Sequence, residues 1–391
     1  MIIHYHYSIN ENSGEIRRIR NIDNDVASQL TDKIIEIAFI SPAHYLKRKH
    51  LHFTLSKKVI RKYYIPMIPF SHSKAIAKWL NSYWMSIILF FICIKYKPTH
   101  VLGEYNICYQ SFLFGPNKPI FIIDCHGDTK DEYIYNCHNN ANKRIIAFFD
   151  KMEQNGVKRA KYIICQSKAM KKLLLSRYNF LNPDNIYVYQ CNADLSRFYV
   201  DDRLRFQYRK QLNLNDSQLL FIYSGGLHKW QKVKESLIIF SQFNQASPTS
   251  KFLILTLDTT QATELANTCV PNIKDKIIIR SAPHEEVCGF LNAADIAFLL
   301  RDNVILNAVA SPTKLAEYMA CGLPVISSEV SANWIDSTKF IFNIDKSDIN
   351  TIPSFIKDCN KQEISSFAKE ELSLEKDKRQ LAKLIHDEIS K

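Results

Sequence analysis

Ser311-Pro312-Thr313-Lys314-Leu315-Ala316-Glu317-Tyr318-Met319-Ala320-Cys321-Gly322-Leu323-Pro324-Val325-Ile326 carries a helix start, a helix stop and the start of a strand in sixteen residues. Ser311 suits an N-cap, and Pro312 suits the first helical turn, where its missing N–H costs nothing. The first-turn N–H groups have no partner inside the helix, and they sit at the positive end of its dipole. Such a tip attracts anions and suits a diphosphate. Glu317 lies about one turn further in, where a carboxylate can accept hydrogen bonds from both hydroxyls of a ribose. Gly322 ends the helix, and Leu323–Ile326 reads as a buried parallel strand.

The same alternation extends in both directions. Strands are expected at Ile2–Tyr7, Ile34–Ile40, Thr99–Gly103, Ile120–Asp124, Tyr162–Cys165 and Asn185–Tyr189, with helices at Glu15–Leu30, Lys74–Ile94, Asn139–Val157 and Lys168–Tyr178. The rhythm restarts with strands at Leu219–Ser224, Phe252–Leu257, Lys276–Ile279, Ile296–Leu300, Pro324–Ser327 and Phe340–Phe342, and helices at Lys232–Phe243, Glu285–Ala293 and Thr313–Ala320. Strand–helix alternation predicts parallel sheets covered on both faces. The 391 residues fit two domains. The polar interval Asp201–Asn215 places the boundary, giving domains 1–200 and 201–371, and residues 372–391 read as an amphipathic helix that packs back on the first domain. Two doubly wound domains facing a cleft would gather ligands at the carboxyl ends of their strands.

The net charge of +12 is lopsided. Residues 1–200 hold 28 Lys/Arg against 15 Asp/Glu, and the rest holds 23 against 24. Between Glu36 and Glu104 there are eleven cations and no acid. Such a field draws anionic partners, so the basic region 37–103 is offered to an anionic membrane surface, with a solvated surface as the plain alternative. The twelve apolar residues Tyr83–Ile94 are too few to span a bilayer and read as a buried domain helix, ahead of a helix lying in the membrane surface. The ten cysteines are never closer than twelve positions, which gives no metal-ligand spacing and reads as free thiols in a reducing cytoplasm. Nothing at the N-terminus resembles a signal peptide.

The segment Ser311–Ile326 resembles the donor-binding signature of retaining GT-B glycosyltransferases of family 4, in their bacterial capsule and surface-polysaccharide branch. The resemblance includes Asp295-Ile296-Ala297-Phe298-Leu299-Leu300-Arg301-Asp302 and Tyr223-Ser224-Gly225-Gly226-Leu227-His228-Lys229-Trp230-Gln231. It implies a UDP-sugar donor, a glycan or lipid-linked glycan acceptor, no cofactor and no metal. Gly225, Gly226, Lys232, Arg301, Ser311, Pro312, Thr313, Lys314 and Glu317 would then bind the donor. The family's usual pair of glutamates lies eight positions apart. Glu317 matches the second, and the first falls on Val309. The loop cations common in the family are replaced here by Gly226 and Gln231, which leaves Lys314, Lys232 and Arg301 to neutralise the departing diphosphate, Lys314 foremost.

In the first domain, Asp124-Cys125-His126-Gly127-Asp128 ends a strand. The resemblance implies that His126 touches the donor sugar, so His126, Lys314 and Glu317 are the catalytic candidates. Asp124 and Gly127 would shape that loop, and Glu132 would line the acceptor side. Gly14 marks either a ligand-approaching loop or a plain turn. Asn192–Phe198 reads as a hinge or cleft element. His4 and His6 read as structural. The chemistry expected is glycosyl transfer with retention by a cytoplasmic enzyme, peripheral at the inner membrane face. A sugar-nucleotide epimerase on the same scaffold, or a non-enzymatic basic nucleic-acid-binding or scaffold protein, are the alternatives. No RNA-stacking or helix-turn-helix motif supports the last, so no nucleic acid is expected.

Overall fold

The computed structural model describes residues 1–6, 18, 21–22, 33–47, 59–69, 75–104, 119–125, 127–137, 140–190, 192–335 and 338–373. Contacts divide the chain into two units, Met1–Gln190 and Cys191–Lys376. The tail expected over 372–391 lies outside the described residues beyond Ser373, as does most of the helix expected over Glu15–Leu30.

Among the described residues, the first unit forms a sheet of β1 (Ile2–His6), β2 (Ile34–Ile40), β3 (Val59–Pro66), β4 (His100–Glu104), β5 (Ile120–Cys125), β6 (Tyr162–Cys165) and β7 (Ile186–Val188). Every pairing is parallel, in the order β3-β2-β1-β4-β5-β6-β7. The strands are apolar runs such as Ile34-Ile35-Glu36-Ile37-Ala38-Phe39-Ile40, as expected of a sheet buried on both faces. The helices are α1 (Pro42–Leu46), α2 (Ala75–Tyr96), α3 (Thr129–Asn136), α4 (Lys143–Arg159) and α5 (Lys168–Arg177). His4 and His6 are buried in β1. His6 pairs through Nε2 with Glu36 at 2.9 Å, and Lys62 reaches the same carboxylate at 2.5 Å. Burial pushes the His6 pKa down, which favours the neutral ring.

The second unit holds α6 (Asp202–Gln211), β8 (Leu220–Ser224), α7 (Val233–Ala246), β9 (Lys251–Leu255), α8 (Thr259–Cys269), β10 (Ile277–Arg280), α9 (Val287–Ala293), β11 (Ile296–Leu299), α10 (Ile305–Ala308), α11 (Thr313–Ala320), β12 (Val325–Ser327), β13 (Ile341–Asn343), α12 (Ile352–Asp358) and α13 (Lys361–Glu371). Its described strands are again all parallel, in the order β10-β9-β8-β11-β12-β13. The interval read from sequence as a polar linker contains α6, capped by Asp201, whose carboxylate accepts from the amides of Arg203 and Leu204. Phe221, Phe240, Phe243, Phe252 and Phe298 fill one side of this sheet.

Both sheets have a switch point, where the strand order reverses and loops diverge to opposite faces. In the second unit it lies between β8 and β11. Ligands of open parallel sheets bind in the crevice outside the carboxyl ends at such points.

Candidate functional site

The loop leaving β8 and the loop leaving β11 flank that crevice, and α11 follows the second. Lys314, in the first turn of α11, donates to the Tyr223 hydroxyl at 3.0 Å and to Oε1 of Gln231 at 2.9 Å. Its ammonium also lies 4.6 Å from the Tyr223 ring centroid. Tyr223 in turn donates its hydroxyl hydrogen bond to the carbonyl of Gly226, 2.5 Å away. Tyr318 anchors the loop from below, accepting from the Ser224 amide at 2.9 Å. Burial, and then the nearby Arg301, bring Lys314 down to about pKa 7, against a smaller opposing pull from Glu317. Burial pushes both phenols up, so they stay neutral.

Gly225 explains how the lysine fits. Its φ of +136° is a conformation that side-chain-bearing residues rarely adopt, and a Cβ there would lie 2.3 Å from the Lys314 ammonium. The resemblance counts this glycine among the donor-binding residues; in the structure the space beside it is filled by Lys314. Gly226 is exposed and has no comparable steric demand.

Two details of the helix start differ from the expectation. Ser311 is not the N-cap, and Pro312 is not in the first turn. Pro312 itself is the flanking residue, at φ −71°, ψ 113°, so the helix opens at Thr313. Pro312 supplies no side-chain cap, because proline offers no hydrogen-bonding group. Glu317 is buried in α11 at 8 % exposure, with Oε1 3.9 Å from Nε2 of His284. Val309 is buried, so an apolar side chain stands where the resemblance expected a second carboxylate.

The remaining cations differ in availability. Lys232 is held by Asp302 at 2.6 Å, which ties the β8 loop to the β11 loop and commits that charge. Arg301 is buried beside the same loop, with Nη1 donating to Leu300 O. The crevice end of the second unit therefore gathers Lys314, Arg301, the uncapped start of α11, and one carboxylate a turn deeper. That set can hold an anion at the tip and a pair of hydroxyls behind it.

Three residues escaped the sequence reading. Tyr223 and Gln231 position Lys314, but stand 91 and 83 residues from it. His284 opens the loop after β10, packs edge-on against Phe198, and has Nδ1 3.3 Å from Nη1 of Arg197. Arginine can only donate, so the neutral ring carries its proton on Nε2, facing Glu317.

In the first unit, Gly14 and His126 lie outside the described residues. The residues flanking His126 are firmly held. Asp124 takes Arg18 through Nε at 3.0 Å and Nη2 at 2.6 Å, and Arg18 also bonds Tyr189 O. Asp128, fully buried, caps α3 through the Asp131 amide and meets Arg177 at 2.6 Å, while Arg177 also meets Glu153 at 3.1 Å. Gly127 has open space where a Cβ would sit, so no contact demands glycine there. Glu132 is exposed on α3. Arg177→Ala would leave the buried Asp128 and Glu153 carboxylates uncompensated, and is expected to lower stability by about 3 kcal/mol in denaturant unfolding; a loss under about 1 kcal/mol would mean that Arg177 is not what secures this loop.

No known protein family matches the chain in sequence, and no curated protein matches it. Solved structures do. Sucrose-phosphate synthase from Thermosynechococcus elongatus superposes with TM-score 0.71 at 14 % identity, covering 100 % of this chain and 99 % of that one. HepE from Anabaena, in complex with UDP, gives 0.67 at 12 % identity, covering 99 % of each chain. WaaG, a glycosyltransferase involved in lipopolysaccharide biosynthesis, gives 0.66 at 12 %, covering 98 % and 99 %. The fold is GT-B. A Listeria monocytogenes chain named as a UDP-N-acetylglucosamine 2-epimerase shares it at 0.59 and 10 % identity, covering 100 % and 96 %. The GT-B scaffold thus hosts more than one chemistry, and the choice between them rests on the site.

Proposed function

We propose that the chain is a retaining, metal-independent glycosyltransferase that moves a sugar from a nucleotide sugar, a UDP-sugar foremost, to a hydroxyl of a glycan acceptor in bacterial surface-polysaccharide synthesis, acting in the cytoplasm. The observation that carries this is the Lys314 ammonium, held by Tyr223 and Gln231 at the uncapped start of α11 on the switch point of the second sheet. The UDP in HepE supports the choice of donor.

In this reading Lys314, Arg301 and the α11 amides, with Thr313 and the Gly225–Gly226 loop beside them, hold the diphosphate. Glu317 accepts from the ribose hydroxyls. As the bond from the anomeric carbon to the diphosphate oxygen breaks, Lys314 and Arg301 take up the charge growing on that oxygen. The acceptor oxygen bonds to the anomeric carbon on the same face, and its proton passes to the departing phosphate. His126 is the residue proposed to touch the donor sugar, and Glu132 the one proposed for the acceptor side, while Asp124 and Asp128 are held by Arg18 and Arg177. The positive charge of Lys314 and Arg301 does the work that a metal ion does in other sugar-nucleotide enzymes, so activity should survive chelation with EDTA.

A thermal-shift screen across UDP, GDP and CMP-sugars tests the reading. One nucleotide should raise the melting temperature of the native chain, since a ligand that binds only the folded state stabilises it. Glu317→Ala should weaken that nucleotide roughly ten- to hundredfold, the loss of one or two charged hydrogen bonds. No shift with any nucleotide, or an unchanged shift in Glu317→Ala, would overturn it. Turnover of the nucleotide sugar to an isomer with no acceptor present would establish the epimerase instead.

A further inference from the structure

The outward face of α2 is apolar from end to end. Ile76, Leu80, Tyr83, Ile87, Phe91 and Ile94 are 74, 50, 57, 44, 62 and 41 % exposed. Steps of three and four place them on one stripe about 27 Å long. The inward face carries the polar groups. Asn81, Ser82 and Ser86 are buried, and each is satisfied by backbone: Asn81 bonds Ile68 N and O, Ser82 bonds Lys78 O, and Ser86 bonds Ser82 O. A helix on the surface of a water-soluble domain has the opposite polarity. The helix is long and apolar enough to cross a membrane. Its inner face is nevertheless packed on the domain, with Trp84 bonded to Pro66 O and Asn81 pinned to the chain leaving β3. The expectation of a buried helix is thus half met.

We infer that α2 is a membrane-docking helix that lies in the plane of an anionic phospholipid surface with its outer stripe among the acyl chains. Charge around it selects that occupant. Arg61, Lys95 and Lys97 are exposed at its C-terminal end, where Arg61 bonds the Tyr96 hydroxyl, and no acid stands between Glu36 and Glu104. Anionic headgroups complement this rim. A second copy of the chain would offer this face only more cations, because the stretch between Glu36 and Glu104 carries no acid to meet them. Tyr83, on the stripe, has the amphipathic ring that settles at headgroup depth. The inference concerns the first unit alone and stands or falls apart from the donor-site reading.

Flotation of the full chain with vesicles of equal parts phosphatidylcholine and phosphatidylglycerol tests it. The native chain should float with these vesicles and float far less with phosphatidylcholine alone. The double variant Ile87→Glu/Phe91→Glu should lose at least about tenfold in partitioning, a change of about 1.4 kcal/mol. Phe91→Leu should keep it. Both variants should melt as the native chain does, because the positions are exposed. Added salt should weaken flotation without abolishing it, since the stripe's contribution is not screened. A native chain that stays at the bottom, a double variant that floats equally, or flotation wholly lost in salt would overturn the inference. So would sedimentation velocity showing a dimer that the double variant splits.

Discussion

Lys314→Ala should lower kcat/KM for glycosyl transfer by about a thousandfold, the scale expected when one group that stabilises a leaving charge is removed from a dry site. The residue has few substitutes nearby, because Lys232 is already held by Asp302. Its pKa of about 7 adds a pH signature. Below pH 7 the free enzyme carries the proton, and a diphosphate binds a cation. Above pH 7 the free enzyme has lost it, so binding must draw a proton from solvent, and affinity should fall towards tenfold per pH unit until the bound-state pKa is reached. The sign for folding is opposite. The unfolded lysine, near pKa 10.5, binds more protons than the folded one between pH 7 and 10.5, so the burden that Lys314 places on the empty protein eases as pH rises through that window. Donor titrations from pH 6 to pH 9 would reveal the first effect. A flat profile in the native chain would remove Lys314 from the phosphate site.

Gly225→Ala is the second large effect. A methyl at φ +136° costs about 1–3 kcal/mol in backbone strain, and it would stand where the ammonium now lies, 2.3 Å from Nζ. The lysine end is flexible, so it gives way and leaves Tyr223 and Gln231. The variant should therefore lose donor affinity by at least about tenfold on top of its lower melting temperature, a combination that strain alone does not produce. Gly226→Ala, with nothing closer than His228 at 3.4 Å, is the control and should change both far less.

The contrast between these two glycines shows what the sequence could and could not disclose. A double glycine after a strand reads as a ligand loop, but the lysine that fills one of the gaps is remote in sequence and visible only once α11 is set against β8. The apolar runs at Ile34–Ile40, broken by Glu36 alone, and Tyr162–Cys165 match their strands residue for residue, and the Pro312–Gly322 punctuation matches Thr313–Ala320. Strand β3 was hidden because Arg61 and Lys62 interrupt its apolar pattern, as an edge strand tolerates. Helix α6 was hidden because it is mostly polar and is fixed by charge: Arg205 and Arg209 reach Asp295 at 2.7 and 3.3 Å, and Arg209 also takes Ala293 O. A linker and a helix of that composition look alike until their partner, ninety residues on, is in place. The α2 stripe was read as buried because apolar residues usually are; which of them face outward depends on what packs beneath.

The central claim is that Lys314 meets the donor diphosphate, and proton uptake on binding tests it most directly. Calorimetric titration of UDP at pH 8 should be run in two buffers of different ionisation enthalpy. At that pH about nine-tenths of the free enzyme lacks the Lys314 proton. The account predicts uptake approaching one proton per nucleotide bound by the native chain, and none by Lys314→Met. Tight binding with no proton uptake, or equal uptake in the variant, would contradict it.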